Sequence, residues 1–211
     1  MQENTKVSIL SKRISAYLID ILFIFLLVGL ISEIKFINPH YNKYIEAYES
    51  YNEILEDYTN EEISDKEFNK LYNDNYYLVS KYSVSYNIVI ILSIILYFGV
   101  FQYFNNGQTI GKKIMKIRVV SNNENEKVSL LKYLLRILPM YYIYIGGLLP
   151  FLINSILVYI LNENNFMNVT MIVSYAFLSI SIVSFILIIK RKDKRGIQDL
   201  IANTKIEYIG R

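Results

Sequence analysis

Four stretches of this chain are apolar over about 20 residues, the length that an α-helix needs to cross the hydrocarbon core of a bilayer. They cover residues 14–37, 83–104, 140–161 and 169–189. The chain is richer in hydrophobic residues, at 53%, and poorer in charged ones, at 19%, than an average soluble domain. The sequence therefore predicts an all-α membrane protein with four transmembrane helices, as a single domain over residues 1–211.

The segments that connect these stretches alternate in charge. Residues 38–81 hold ten acidic residues against four lysines, whereas the loop 105–139 and the tail 190–211 are basic. Because basic segments stay on the cytoplasmic side of a membrane, we expect a cell-membrane protein with both termini in the cytoplasm. A cleaved signal peptide is not expected, because the first apolar stretch is too long and contains Asp20.

The acidic segment 38–81 contains tyrosines at alternating steps of three and four residues, which is a helical stripe. These are Tyr41, Tyr44, Tyr48, Tyr51 and Tyr58. A second stripe runs from Phe68 to Tyr82, after a Ser64 that has capping-box spacing to Glu67. We expect an extracytoplasmic helical hairpin. Its tyrosines either form a surface for a partner or pack one stripe on the other.

The basic loop contains GQTIGKK at residues 107–113, which looks like a phosphate-binding loop but lacks its glycine spacing and its final Ser or Thr. We therefore expect no nucleotide. Thr109 is expected to cap a short interfacial helix, and a second such helix is expected at 128–138. Their basic side chains should contact anionic lipid head groups on the cytoplasmic face. These side chains are Lys112, Lys113, Lys116, Lys132 and Arg136.

Two short stretches, 117–120 and 205–209, alternate polar residues with β-branched or aromatic ones, as strands do. We expect them to pair as a small two-stranded cytoplasmic ribbon that ties the tail to the basic loop. Arg118 should then lie near Glu207.

Asp20 lies about two turns into the first apolar stretch, where an ionised carboxylate costs on the order of 2.5–3.5 kcal/mol unless it is paired or reaches water. Arg13 precedes it on nearly the same helix face, about 10 Å away along the axis. Because Ala16 lies between them, a second helix or segment could approach there and bridge the two side chains. The two alternatives are an ion pair that fixes helix packing and a proton or cation site.

The third apolar stretch is interrupted near its centre by Gly146, Gly147 and Pro150, with Asn154 one turn beyond. Such a break frees backbone carbonyls, as in the discontinuous helices of transporters. These residues are candidates for an ion pathway, and the alternative is a kink without function.

Three parts of the sequence together resemble the RDD family of small integral membrane proteins, which is named for one Arg and two Asp. KRISAYLIDILF contains Arg13 and Asp20, and KRGIQDLIANT in the tail contains Asp199. NNGQTIGKKIMKIRVVS, followed by VSLLKYLLRIL, matches the family in the basic loop. The matching positions there are Gly107, Thr109, Gly111, Lys112, Arg118 and Arg136. Gln198 stands where the family usually has His, and Asn203 where it usually has Gly.

The resemblance implies a bacterial membrane protein and two alternative functions. Some family members look like cation/proton antiporters, and the residues Arg13, Asp20 and Asp199 would then meet as an intramembrane charge cluster for small cations. Other members accompany transport or peptide-resistance systems, and the chain would then be an accessory protein whose hairpin binds a partner. We expect membrane lipids and a second copy or another membrane protein as partners.

We expect no enzyme activity, no cofactor, no resident metal and no nucleic acid. The chain has no Cys and one His, which excludes thiol catalysis, Cys-ligated metal sites and multi-histidine sites. A nucleophile, base and orienting group at plausible spacing are not recognisable in the sequence.

Overall fold

The computed structural model describes residues 2–123, 126–139 and 148–209. These residues are mostly helical and include a short two-stranded sheet. The helices are α1 (Gln2–Ser32), α2 (Tyr41–Thr59), α3 (Asp65–Tyr82), α4 (Val84–Ile94), α5 (Gln102–Phe104), α6 (Ile110–Ile114), α7 (Leu130–Ile137), α8 (Leu148–Ile160), α9 (Glu163–Lys190) and α10 (Ile197–Ile201). A π-helical segment, Ile95–Phe101, joins α4 to α5, and the strands are β1 (Ile117–Ser121) and β2 (Thr204–Tyr208).

Three helical segments are long and apolar enough to cross a bilayer: Ile9–Ser32, Val84–Phe104 and Glu163–Lys190. They correspond to the first, second and fourth predicted stretches. The first helix ends at Ser32 and not at residue 37, because the chain turns there, with the Ile37 amide donating to the Ile34 carbonyl over 2.9 Å.

The third predicted stretch, 140–161, is described only from Leu148 onward. Its described part, α8, has 13 residues, about 20 Å of helix, and this is too short to cross a bilayer by itself. Four spans are therefore not shown by the described residues, and the membrane topology stays a prediction.

The chain divides into two compact units. The first unit consists of residues 1–28, 92–149 and 177–211, and the second of residues 29–91 and 150–176. Because α1, α4, α8 and α9 each cross a unit boundary, they contribute residues to both units.

The two-stranded ribbon in the first unit confirms the sheet expected from the sequence. β1 and β2 are antiparallel, and Arg118 pairs with Glu207 in the register. The Arg118 guanidinium donates to the Glu207 carboxylate over 2.9 and 3.0 Å. Ile117 and Val119 point to the buried side of the ribbon, with exposures of 1% and 2%.

The helix α7 also packs into the first unit with one buried face. Ser129 caps it by accepting a hydrogen bond from the Lys132 amide. Tyr133, Arg136 and Ile137 are buried, and their spacing of three and four residues places them on one side. Arg136 therefore points inward, because its apolar neighbours carry that face of α7 into the core, and its contact with lipid head groups stays a prediction.

The second unit contains the helical hairpin predicted for residues 38–81, formed by α2 and α3. Ser64 caps α3 as expected, accepting from the Glu67 amide over 3.4 Å. Ala47 and Ile54 are buried on α2. A single residue, Ser83, separates α3 from α4, so the second arm continues almost directly into the second spanning helix.

Candidate functional site

The carboxylate of Asp20 is buried in the first unit, at 1% exposure, and is surrounded by hydrogen-bond donors. The hydroxyls of Tyr97 and Thr109 each donate to it over 2.6 Å, and the backbone amide of Gly111 donates over 2.8 Å. Distances of about 2.5–2.7 Å are typical of hydroxyl bonds to a charged acceptor. The arrangement therefore fits an ionised carboxylate that only accepts hydrogen bonds.

Three local structures bring these donors to Asp20. Thr109 is the N-cap of α6, where its hydroxyl also accepts from the Lys112 amide over 3.3 Å. Tyr97 lies in the π-helical segment, and its hydroxyl accepts from the Ile110 amide over 3.0 Å. Gly111 lets α6 approach α1 closely, because a Cβ at this position would lie 2.1 Å from the carbonyl oxygen of Ala16.

Lys112 supplies the cation of this arrangement. Its ammonium is 3.8 Å from the Asp20 carboxylate and donates to the Thr109 hydroxyl over 3.2 Å. Burial lowers the pKa of Lys112 to about 8, although the negative charge of Asp20 acts in the opposite direction. The positive charges of Arg136 and Arg13 lower this pKa further. We call Asp20, Tyr97, Thr109, Gly111 and Lys112 the Asp20 site.

A second buried carboxylate, Asp199 on α10, is 0% exposed and is held by two arginines. Arg13 donates to one of its oxygens over 2.8 Å, and Arg136 donates to the other. Arg136 also donates to the Thr204 hydroxyl, and Arg13 donates to the Lys194 carbonyl over 2.8 Å. The Gly196 amide completes the arrangement at 3.1 Å from the carboxylate. We call Asp199, Arg13 and Arg136 the Asp199 site.

Burial by itself would raise the pKa of Asp199, but the charges of Arg136 and Arg13 outweigh this effect. The pKa is lowered to about 2, from an ordinary value of 3.8. Asp199 is therefore ionised at neutral pH and forms the centre of a salt-bridged group that joins α1, α7 and the tail.

The sequence led us to expect Arg13, Asp20 and Asp199 in one cluster, but they lie in two sites. Arg13 contacts Asp199, whereas the ion-pair partner of Asp20 among the described residues is Lys112. A segment does approach at Ala16, since α6 lies there with Gly111, and its Gly111 amide donates to Asp20 while Arg13 donates to Asp199 and to the Lys194 carbonyl. The two sites nevertheless belong to the same unit.

A cleft of about 540 Å³ in the first unit is lined by Asp20 and Lys112 of the Asp20 site and by Arg13 and Arg136 of the Asp199 site. Its walls are mostly apolar, and the charged residues that line it are Arg13, Asp20, Lys112 and Arg136. A volume of this size is in the range of about 300–1,000 Å³ that is typical of small-molecule sites. The Asp20 site is thus buried in the protein but borders a space that a ligand can enter.

Sequence reasoning placed Lys112 and Arg136 at the lipid surface and did not consider Tyr97 and Gly111 as partners of Asp20. A signal existed for Tyr97, because a hydroxyl within an apolar stretch needs a hydrogen-bond partner. The family positions at Thr109, Gly111 and Lys112 were a second signal.

The remaining lysines of the predicted lipid-contact set lie at the protein surface. Lys113 and Lys116 are exposed. Lys132 forms an ion pair with Glu126. Contact of these lysines with lipid head groups stays a prediction.

The candidate ion pathway in the third stretch lies partly outside the described residues, because Gly146 and Gly147 are not among them. Pro150 lies in the described part of α8, Leu148–Ile160. Asn154 on the same helix has a buried side-chain oxygen without a hydrogen-bond partner among the described residues. Both described residues belong to the second unit.

The tyrosines of the hairpin stack on one another and on neighbouring rings of the second unit. Tyr44 stacks on Tyr48, and Tyr51 lies 5.0 Å from Tyr72 between ring centroids. Tyr58 stacks on Phe68 at 4.0 Å. Tyr48 and Tyr58 still keep 45% and 39% exposure, and Tyr41 is half-buried.

The Tyr51 hydroxyl donates to the Tyr72 hydroxyl over 2.5 Å, and this bond joins the two arms of the hairpin. Burial raises the pKa of Tyr51, and the hydrogen bond to Tyr72 raises it further. We expect Tyr51→Phe to destabilise the hairpin by about 0.5–1.5 kcal/mol, the usual net value of one hydrogen bond. Amide hydrogen exchange in residues 41–82 measures the effect. Tyr48→Phe, at an exposed position, is the control, and equal exchange rates in both variants would contradict the prediction.

Three apolar helices of spanning length, with carboxylates buried beside basic side chains, define a membrane protein and fit a multi-pass one. The sequence model of the RDD family matches residues 7–203, and the chain therefore belongs to the RDD family. This confirms the resemblance found in the sequence. Comparisons with curated proteins and with solved structures gave no significant match.

Proposed function

We propose that this protein exchanges small cations for protons across the membrane, and that the Asp20 site is where the two compete. The observation that carries the proposal is the pair formed by the Asp20 carboxylate and the Lys112 ammonium, 3.8 Å apart on the wall of the cleft. A carboxylate in a spanning helix is costly to keep ionised without a nearby cation. The site therefore favours one positive charge, which either the ammonium or a bound cation can supply.

The proton supplies that charge when Lys112 is protonated. Since burial lowers the pKa of Lys112 to about 8, the ammonium loses its proton at a pH only slightly above neutral. The negative charge of Asp20 is then without its cationic neighbour. A small cation can replace the ammonium there, because carboxylate and hydroxyl oxygens are the ligands that hard cations prefer. Asp20 and Thr109 provide such oxygens.

Protonation reverses this step. A returning proton restores the ammonium, which repels the bound cation and releases it into the cleft. Site occupancy by the cation should therefore rise with pH through about 8. The Asp199 site does not take part, because its carboxylate is already paired with Arg13 and Arg136.

Flux measurements in proteoliposomes test this function. Purified protein should release protons from acid-loaded vesicles when Na⁺, K⁺ or Li⁺ is added outside, as read with an internal pH-sensitive dye. Asp20→Asn should reduce this flux to that of protein-free vesicles. Lys112→Gln should likewise abolish the proton flux, since the ammonium that carries the exchanged proton is gone. Lys113→Gln, an adjacent lysine that is exposed, is the matched control and should behave as wild type.

Folding of each variant is checked by its elution as a single species and by its helical circular dichroism. A folded Asp20→Asn variant with wild-type flux would contradict the proposal. Wild-type protein that gives no flux with any of the three cations, at any pH from 6 to 9, would contradict it as well.

A further inference from the structure

The walls of the cleft are formed by two apolar stripes from spanning helices. Each stripe has residues at steps of three or four, which places them on one face of its helix. The stripes consist of Leu10, Ile14 and Leu18 on α1 and of Leu178, Ile182 and Phe185 on α9. Leu18 and Phe185 are 55% and 47% exposed. The walls therefore lie within segments that are apolar enough to be surrounded by lipid, and the cleft is accessible to a lipid chain.

The polar end of the cleft has an excess of positive charge. Arg13, Lys112 and Arg136 line the cleft, against one lining carboxylate, Asp20. Asp199 does not line the cleft but is paired with Arg13 and Arg136. With Asp199 included, the group contains three cations and two carboxylates. One positive charge is therefore not balanced by a carboxylate among the described residues of this group.

Lys112 is the cation of this group that has no carboxylate within hydrogen-bond distance among the described residues. Its ammonium is 3.8 Å from Asp20, beyond hydrogen-bond distance, and among the described residues it has one hydrogen bond, to Thr109. An ammonium has three donors. Arg13 and Arg136, by contrast, each donate to the Asp199 carboxylate and to a second oxygen.

We propose that the cleft is a binding site for an anionic phospholipid, with one acyl chain between the two apolar stripes and the phosphate at Lys112. Basic pockets between spanning helices are known binding sites for anionic head groups. The apolar walls favour a lipid over a soluble phosphate, because an acyl chain can cover these apolar side chains and a soluble phosphate cannot. The proposal does not depend on cation exchange, since lipid binding is measured without flux.

Native mass spectrometry of the full chain in detergent tests the site. The protein is titrated with phosphatidylglycerol or with phosphatidylcholine of the same acyl chains, and the first bound lipid is counted. We expect the first phosphatidylglycerol to bind about fivefold more tightly, the contribution of one lysine near an anionic head group. Lys112→Gln should remove this preference. Lys192→Gln removes the same charge at an exposed position outside the cleft lining and should keep it.

A second pair of variants tests the acyl chain without changing any charge. Ser181 lines the cleft, so Ser181→Phe should fill it and weaken the binding of both lipids. Val183→Phe, on the exposed part of the same helix at 49% exposure, is the control and should retain binding.

Three results would overturn the proposal. The first is equal binding of the two lipids by the wild-type protein, and the second is the same loss of preference in Lys112→Gln and Lys192→Gln. The third is displacement of phosphatidylglycerol by millimolar inorganic phosphate, which would make the site one for a soluble anion. Retention of the lipid in that competition supports the acyl-chain contact.

Discussion

Asp199→Asn is expected to lower the free energy of unfolding by about 3–5 kcal/mol, the cost of removing one partner from a buried ion pair. The substitution keeps the shape of the side chain but leaves Arg13 and Arg136 buried without a carboxylate. On the scale of a chain of this length, the melting temperature should fall by about 10 °C. Thermal unfolding in detergent, followed by helical circular dichroism, measures the shift.

Asp193→Asn is the control for this prediction. Asp193 lies in the same tail and is hydrogen bonded to Arg191, but both side chains are 39% exposed. Exposed pairs contribute about 0–1 kcal/mol, so this variant should melt close to wild type. Equal melting temperatures of the Asp199 and Asp193 variants would show that the Asp199 site does not stabilise the fold.

The stability that Asp199 contributes should decrease at low pH. The pKa of Asp199 is about 2 in the folded protein and 3.8 in its ordinary state, so the ionised pair contributes its full stability above about pH 4. That contribution is lost as the pH falls through about 2. The difference between wild type and Asp199→Asn should therefore be largest at neutral pH and decrease between pH 4 and 2.

Gly111→Ala is expected to destabilise the protein by about 3 kcal/mol, at the upper end of typical overpacking costs. The added Cβ would lie 2.1 Å from the Ala16 carbonyl oxygen and 2.8 Å from the Asp20 carboxylate. Since a backbone atom cannot rotate away, α6 must move from α1. The hydrogen bond from the Gly111 amide to Asp20 is then weakened, and the melting temperature should fall by ~6–12 °C.

Gly29→Ala is the matched control, because a Cβ at Gly29 meets nothing within 4 Å. Alanine also favours a helix over glycine by about 1 kcal/mol. This variant should therefore melt at or above the wild-type temperature. If the Gly111→Ala protein melted at the same temperature as the wild type, α6 would not be packed tightly against α1.

The spanning helices and the ribbon could be predicted because their signals are local. About 20 consecutive apolar residues predict a spanning helix, and alternation over five residues predicts a strand, whatever the rest of the chain does. The Thr109 cap was also predictable, since an N-cap depends on residues that are close in sequence.

The partners of the buried carboxylates could not be predicted in the same way. Arg13 and Asp20 lie on nearly the same face of one helix, and sequence distance alone favoured their pairing. The contacts that form instead join Asp20 to residue 109 and Arg13 to residue 199, across 89 and 186 positions. Such pairings depend on how the helices and the tail pack, which no local pattern encodes. The inward direction of the Arg136 side chain could not be predicted for the same reason, since it also depends on how α7 and the tail pack.

The salt bridge between Arg13 and Asp199 also affects how the chain is made. The two residues are 186 positions apart, and a ribosome adds about 5–20 residues per second. Arg13 therefore exists for about 10–40 s before its carboxylate partner has been synthesised. During that time the charge of Arg13, and over the last 63 positions that of Arg136 as well, must be met by water, lipid phosphate or the insertion machinery. Final closure of the first unit is thus a late step that waits for the synthesis of Asp199.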